Sequence, residues 1–229
     1  MKALQKLRDR IQKKGLRSVI KLLIRRFVFV HSRLVWLEHD VRIPLKPHNL
    51  RPYPPVRREF ITVENADAFS RHFGDRVETM RELAAEGYTG FMYLDDKGDC
   101  VAFAWASTRD YFDRHFYGCL FPIKPGEYFQ FGGETIRAYW GSQVTADVQT
   151  DVWKVMADKG CDKMVDVCDL ENTPAIKMHI RMEFQERGQI THVYRLFGRF
   201  RFFRDTFYTG SVLDPFRKPA QPVASTATA

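Results

Sequence analysis

The chain has 229 residues, 45% of them hydrophobic, which suffices for one well-buried α/β domain and leaves little for a second. The formal net charge of +8 is unevenly placed: residues 1–26 carry ten Lys/Arg against the single acid Asp9, and the remainder, 26 basic against 27 acidic, is nearly neutral. The basicity therefore belongs to an arm and not to the domain, which argues against a nucleic-acid-binding domain; no apolar run reaches the ~20 residues of a membrane span.

In chain order, residues 3–28 read as helical in two pieces around Gly15. Leu4, Leu7 and Ile11 share one face, and Leu16, Val19, Ile20, Leu23 and Phe27 continue the three-four spacing with Lys and Arg opposite. Such a helix can lie on an anionic membrane surface or pack its apolar stripe on the domain. A nucleic-acid arm ranks below both, because no aromatics interleave with these basic residues. Charge at the start, with Arg25-Arg26 interrupting the apolar stretch, argues against a signal peptide. We assign 1–42 to this N-terminal segment. Five prolines between Ile43 and Val56 make 43–57 an extended connector.

The domain proper is assigned to 58–210. Glu59–Val63 reads as a strand, Asn65 opens a short helix to Phe73, and Arg76–Ala85 is a helix ended by Gly87. Thr89–Leu94 and Cys100–Ala106 flank Asp95-Asp96-Lys97-Gly98-Asp99, a hairpin signal. Thr108–Gly126 is aromatic and irregular. Glu127–Phe131 is a strand, Ser142–Asp158 an amphipathic helix ending at Gly160, Met164–Cys168 a strand and Thr173–Met182 a helix. Gln189–Leu196 and Arg199–Phe207 form a closing strand pair. Residues 211–229, rich in Pro, Ala, Ser and Thr, read as a disordered tail.

Val165–Phe184 reads V-D-V-C-D-L-E-N-T-P-A-I-K-M-H-I-R-M-E-F. A strand, then Asn172, then small Ala175, then a ring at His179, then Phe184 closing the helix: this resembles the C-terminal half of the GNAT N-acyltransferase superfamily. The element order over about Glu59–Tyr208 is also that of the family. The resemblance implies a mixed α/β sheet flanked by helices, an acyl-coenzyme A co-substrate such as acetyl-CoA, an amine acceptor and no metal. It implies a non-catalytic GNAT-like scaffold, docked through the basic N-terminus, as the alternative. The N-terminal arrangement is similar to GNAT-like proteins of bacterial envelope and polysaccharide pathways, and points weakly to an amino sugar or envelope precursor as acceptor.

Pyrophosphate in this family sits at a helix N-terminus, where unpaired N–H groups and the helix dipole meet the anion. Two registers offer the loop, one from Gln149 and one from Arg137. The second places Arg137, Tyr139, Trp140, Gly141 and Ser142 directly before the periodic helix and is preferred. Trp140 stands where the family has glycine. By the same resemblance Glu127 is the base, Gly132-Gly133 supply a β-bulge amide to the thioester carbonyl, and Asn172 contacts backbone or pantetheine or simply caps its helix. His179 replaces the family's tyrosine acid, and Glu183 replaces a glycine, which predicts a different turn. His179 reads equally as acid and as half-buried structural residue.

The remaining histidines show no metal-ligand spacing, and the four cysteines no pairing pattern. A reduced, cytoplasmic chain, peripheral to a membrane at most, is the expectation. Arg195–Phe207 alternates Arg with Phe and reads as an amphipathic edge strand.

Overall fold

The computed structural model describes residues 28–45 and 50–217. The expected N-terminal helices up to residue 27 and the tail beyond 217 lie outside the described residues.

An eight-stranded sheet organises the chain. Its strands are β1 Phe29–Asp40, β2 Arg57–Phe60, β3 Thr89–Leu94, β4 Cys100–Ser107, β7 Glu127–Thr135, β8 Lys163–Asp169, β9 Gln185–Leu196 and β10 Phe200–Phe207. The spatial order is β10-β9-β1-β8-β7-β4-β3-β2, antiparallel throughout except for the parallel pair β7–β8. Two further strands, β5 Tyr111–Phe112 and β6 Leu120–Phe121, pair as a small ribbon. The helices are α1 Val77–Ala85, α2 Val144–Asp158 and α3 Thr173–Arg181, with short helical turns at Ala66–Phe69, Ser70–Phe73 and Gly74–Arg76 before α1.

Both sheet faces are covered. Helices α2 and α3 bury one face through Val144, Val148, Val152, Met156 and Ile176, over Tyr128, Met164 and Cys168. On the other face, α1 and its leading turns cover Met92, Phe103 and Trp105. The aromatic segment that read as irregular folds as the β5–β6 ribbon over Trp36, Phe129 and Val165, stacking Tyr111 on Phe131 with centroids 3.8 Å apart. Asn65 sits before the first of the short turns but makes no side-chain cap bond there; its Oδ1 instead accepts the Thr62 N–H at 2.8 Å.

From Arg57 onward the elements follow the expected order, a mixed α/β sheet flanked by helices. The N-terminal side requires a correction. The segment assigned as a helical arm through residue 42 contains β1, a central strand that pairs with β8 on one side and β9 on the other. Leu34, Val35, Trp36 and Leu37 are all buried, Val35 and Leu37 beneath the helices and Leu34 and Trp36 beneath the ribbon. A strand buried on both faces shows a continuous apolar run without alternation, so it carries no period of two.

The tail boundary also moves. Leu213 is fully buried, and the Glu186 carboxylate accepts the Val212 N–H at 2.9 Å and the Tyr208 hydroxyl at 2.7 Å. Residues 211–217 are therefore held against the domain.

Candidate active site

Strands β7 and β8 pair only at Glu127↔Lys163, Tyr128↔Met164 and Phe129↔Val165, although β7 runs on to Thr135 and β8 to Asp169. Beyond Phe129 and Val165 the two strands part. The resulting wedge is bounded by Gln130–Thr135 on one side and Asp166–Asp169 on the other, with α2 and α3 behind it.

On the β7 side, Gly132 and Gly133 together oppose the single residue Ala104, because Phe103 pairs with Glu134 and Trp105 with Phe131. This is the β-bulge expected there. Gly132 has φ +60°, which explains the glycine, and both glycines are exposed.

On the β8 side, His179 reaches Asp166. Its Nε2 lies 2.9 Å from Asp166 Oδ2 and its Nδ1 2.8 Å from Ala175 O. Both partners are acceptors, so both ring nitrogens donate and the ring is an imidazolium. Burial alone would lower its pKa, but the Asp166 carboxylate and the neighbouring Cys168 outweigh burial and hold it at about 10. Burial pushes the Cys168 thiol up, although His179 opposes that shift. Asn172 caps α3 by accepting the Ala175 N–H at 3.3 Å. The turn after α3 is not the different turn that Glu183 implied: Glu183 takes φ +61°, the left-handed conformation a glycine would adopt, and Phe184 N–H closes it on His179 O at 3.0 Å.

The loop before α2 is a single helical turn, Arg137–Tyr139, followed by Gly141 at φ +73°. Arg137 is exposed. The Trp140 indole is 61% exposed and donates to Thr135 O at 2.8 Å, so the ring is held outward. Ser142 is buried; its hydroxyl donates to Tyr139 O at 2.6 Å and lies 3.4 Å from the Val144 N–H. Gln149, start of the competing register, lies within α2 with its side chain buried, so that register is no loop.

Three features here had no signal in the sequence. Arg51, from the proline-rich connector, runs beside the loop: its carbonyl accepts the Gln143 N–H at 3.0 Å, its N–H donates to Gly141 O at 3.3 Å and its guanidinium to Ala138 O at 2.8 Å. Tyr53 fastens the connector to α2 by donating to Asp147 Oδ2 at 2.6 Å. Gln130 and Gln149 form a buried amide pair, joined by two bonds of 2.6 Å. Asp166 was visible only as a strand residue.

Glu127 is not brought to the wedge. It starts β7 at the closed end, five residues and roughly 16 Å along the strand from Gly132. Arg187 grips its carboxylate at 3.0 and 3.3 Å and also pairs with Glu38 at 3.2 Å. Glu127 lines a recess of about 450 Å³ with Thr108, Lys124 and Lys159. Among the described residues, His72, Asp95 and Asp99 bring metal-type ligand atoms within 4.8 Å of one another. Asp99 is paired with Arg71 at 2.8 Å, and Asp95 accepts the N–H groups of Lys97 and Asp99, so an ion pair engages one carboxylate and the hairpin turn the other. All four cysteines are buried free thiols. No described helix is long and apolar enough to cross a membrane.

No protein-family model matches the chain, and no curated protein matches it by sequence. Solved structures do resemble it. A functionally unknown conserved protein from Staphylococcus epidermidis superposes with a TM-score of 0.50 at 14% identity, over 78% of this chain and 67% of that one. A GCN5-related N-acetyltransferase from Sphaerobacter thermophilus gives 0.45 at 10% identity, over 85% of this chain and 57% of that one. The aminoglycoside N-acetyltransferase AAC(6')-Iy, solved in complex with CoA, gives 0.45 at 21% identity, over 58% and 92%. The chain spans 58% of the length of a Drosophila protein that it matches at a TM-score of 0.49 and 10% identity. These likenesses are of fold.

Proposed function

We propose that the protein is an acyl-CoA-dependent N-acyltransferase acting on a small amine. The observation that carries this reading is the β7–β8 wedge, with the Gly132-Gly133 bulge on one wall and the N-terminus of α2 beyond it. A thioester lying in the wedge would find an exposed backbone amide at the bulge for its carbonyl oxygen. Arg137 and Arg51 stand where the pyrophosphate would meet the loop before α2, with Tyr139, Trp140, Gly141 and Ser142 forming the turn. Asn172 orders the start of α3 rather than contacting pantetheine.

The amine nitrogen attacks the thioester carbon, the C–S bond breaks, one proton leaves the nitrogen and one joins the thiolate sulfur. Glu127, the expected base, stays at the closed end in the grip of Arg187, so the amine proton leaves to solvent water. His179 is the proposed acid; its cationic ring has a proton to give, and Asp166 holds it in place. An amino sugar or another envelope precursor is the acceptor class we favour. The half-exposed Phe112 and Phe116 on the ribbon suit its apolar faces. Residues 1–28 supply a peripheral contact with anionic membrane.

One observation favours a second reading, a GNAT-like scaffold that docks through its basic N-terminus without turnover: Arg51 O already takes the Gln143 N–H at the helix start. Thermal unfolding with acetyl-CoA and longer acyl-CoAs separates the two. A ligand bound only by the native state at a hundred times its dissociation constant stabilises by about 2.7 kcal/mol, a midpoint rise of several degrees. An unchanged midpoint at millimolar ligand would leave the scaffold reading alone.

A further inference from the structure

We propose that the β9–β10 hairpin, together with the first residues of β1, is a docking surface for an anionic lipid bilayer. The proposal does not depend on acyl transfer.

The hairpin turn is the first sign. Arg199 N–H donates to Leu196 O at 3.0 Å, closing a turn whose central residues, Phe197 and Gly198, have φ +51° and +70°. Such turns favour Asn-Gly or Gly-Gly, because a bulky side chain at positive φ is strained. This chain instead holds a phenylalanine there, 67% exposed. Strain spent on displaying an apolar ring to solvent, where a polar residue would be more stable, points to a surface that meets something apolar.

Phe200, Phe202 and Phe203 on β10 and Phe29 on β1 are also exposed. Their arrangement selects the partner. Phe200 and Phe202 lie opposite Leu196 and Tyr194, whereas Phe203 lies opposite Val193 and so projects from the other face of the strand. The rings thus surround the edge strand and its tip as a wedge. Phe29, Phe200 and Phe202 share one face, but Phe203 lies on the other and Phe197 at the tip, which a flat base-stacking platform does not use. A bilayer interface accepts a wedge.

Arg33, Arg199, Arg201 and Arg204 are exposed among these rings. The adjacent carboxylate, Asp205, is engaged by the Thr191 hydroxyl at 2.6 Å. Two copies meeting through this surface would set like charges face to face, whereas anionic headgroups complement them. The described chain begins at the same place, with Val28 O accepting the Phe197 N–H at 2.8 Å, and the strongly basic residues 1–26 precede it in sequence. Arginines and apolar tip therefore share one end of the sheet, beside the point where the described chain begins.

The experiment is sedimentation of the full chain with vesicles of phosphatidylcholine alone or mixed with phosphatidylglycerol. Binding is expected only to the mixed vesicles, weakening with salt. Phe197→Asn with Phe200→Ser should lower the partition coefficient about tenfold or more, and Arg199→Gln with Arg204→Gln by about the same. Asn suits the turn, so the first pair should keep the fold, which the thermal midpoint checks; Phe202→Ser serves if it does not. Phe197→Trp should gain a component quenched by brominated lipid. Unchanged vesicle binding in the hairpin variants, or binding of single-stranded RNA that those variants abolish, would overturn the proposal. So would a dimer lost in the variants without any vesicle binding by the parent chain.

Discussion

His179 donates from Nε2 to Asp166 at 2.9 Å and from Nδ1 to Ala175 O at 2.8 Å, so a buried imidazolium lies beside the wedge. Its folded pKa of about 10 stands above the ordinary 6.5. A group raised on folding stabilises fully below its unfolded pKa, and that contribution is lost as pH climbs through the folded one. Stability should therefore decline between about pH 6.5 and about 10. Urea midpoints across that window check it. Asp166→Asn should flatten this part of the profile and cost about 3 kcal/mol at neutral pH.

Gln130 and Gln149 satisfy each other inside the core. Gln149→Leu should cost about 1–3 kcal/mol, because it strands a buried amide. Gln130→Leu added to it should recover most of the loss. A double-mutant cycle by denaturant unfolding reads the coupling, and additive losses would show that the pair is not a unit.

Glu183 occupies a left-handed position with φ +61°. Glu183→Gly should stabilise the protein by up to about 1 kcal/mol, seen as a rise in the thermal midpoint. Glu183→Val should do the reverse, since a β-branched residue tolerates that conformation least.

Gly132 is needed at φ +60° in the bulge. Gly132→Ala should cost about 1 kcal/mol in unfolding experiments. It should also remove the midpoint rise produced by acetyl-CoA, whereas Gly98→Ala, in the distant β3–β4 turn at φ +81°, should destabilise without touching that rise.

Arg137→Ala and Arg51→Ala should each weaken acyl-CoA binding about tenfold in calorimetry, with the loss shrinking at high salt. Equal affinity in both variants would place the phosphates elsewhere.

How far these features were legible follows from the range of the interactions that make them. The α2 stripe, the β3–β4 turn and the paired glycines are local patterns, and each appears where the spacing put it. Asn172 as a helix cap is equally local. Arg51 escaped notice because its partners lie far along the chain, and nothing in a proline-rich connector marks one arginine as a neighbour of Ala138. Glu127 was found as a strand-starting acid, but its capture by Arg187 is a distant pairing with no sequence trace. Leu34–Leu37 was missed for a different reason: burial on both faces erases the alternation that would reveal a strand, and its position behind a basic helical pattern disguised it further.

The placement of β1 has a consequence for how the chain reaches its fold. Leu34 pairs with Asp169 on one side and Thr191 on the other, so the earliest described strand has both neighbours in the last third of the sequence. Neither edge of β1 can be closed until β8, more than 120 residues further on, has been made. Closing such long loops before any contact repays them slows folding. A nascent chain therefore carries the apolar run Leu34–Leu37 unpaired until those partner strands emerge, and this stretch needs protection until then.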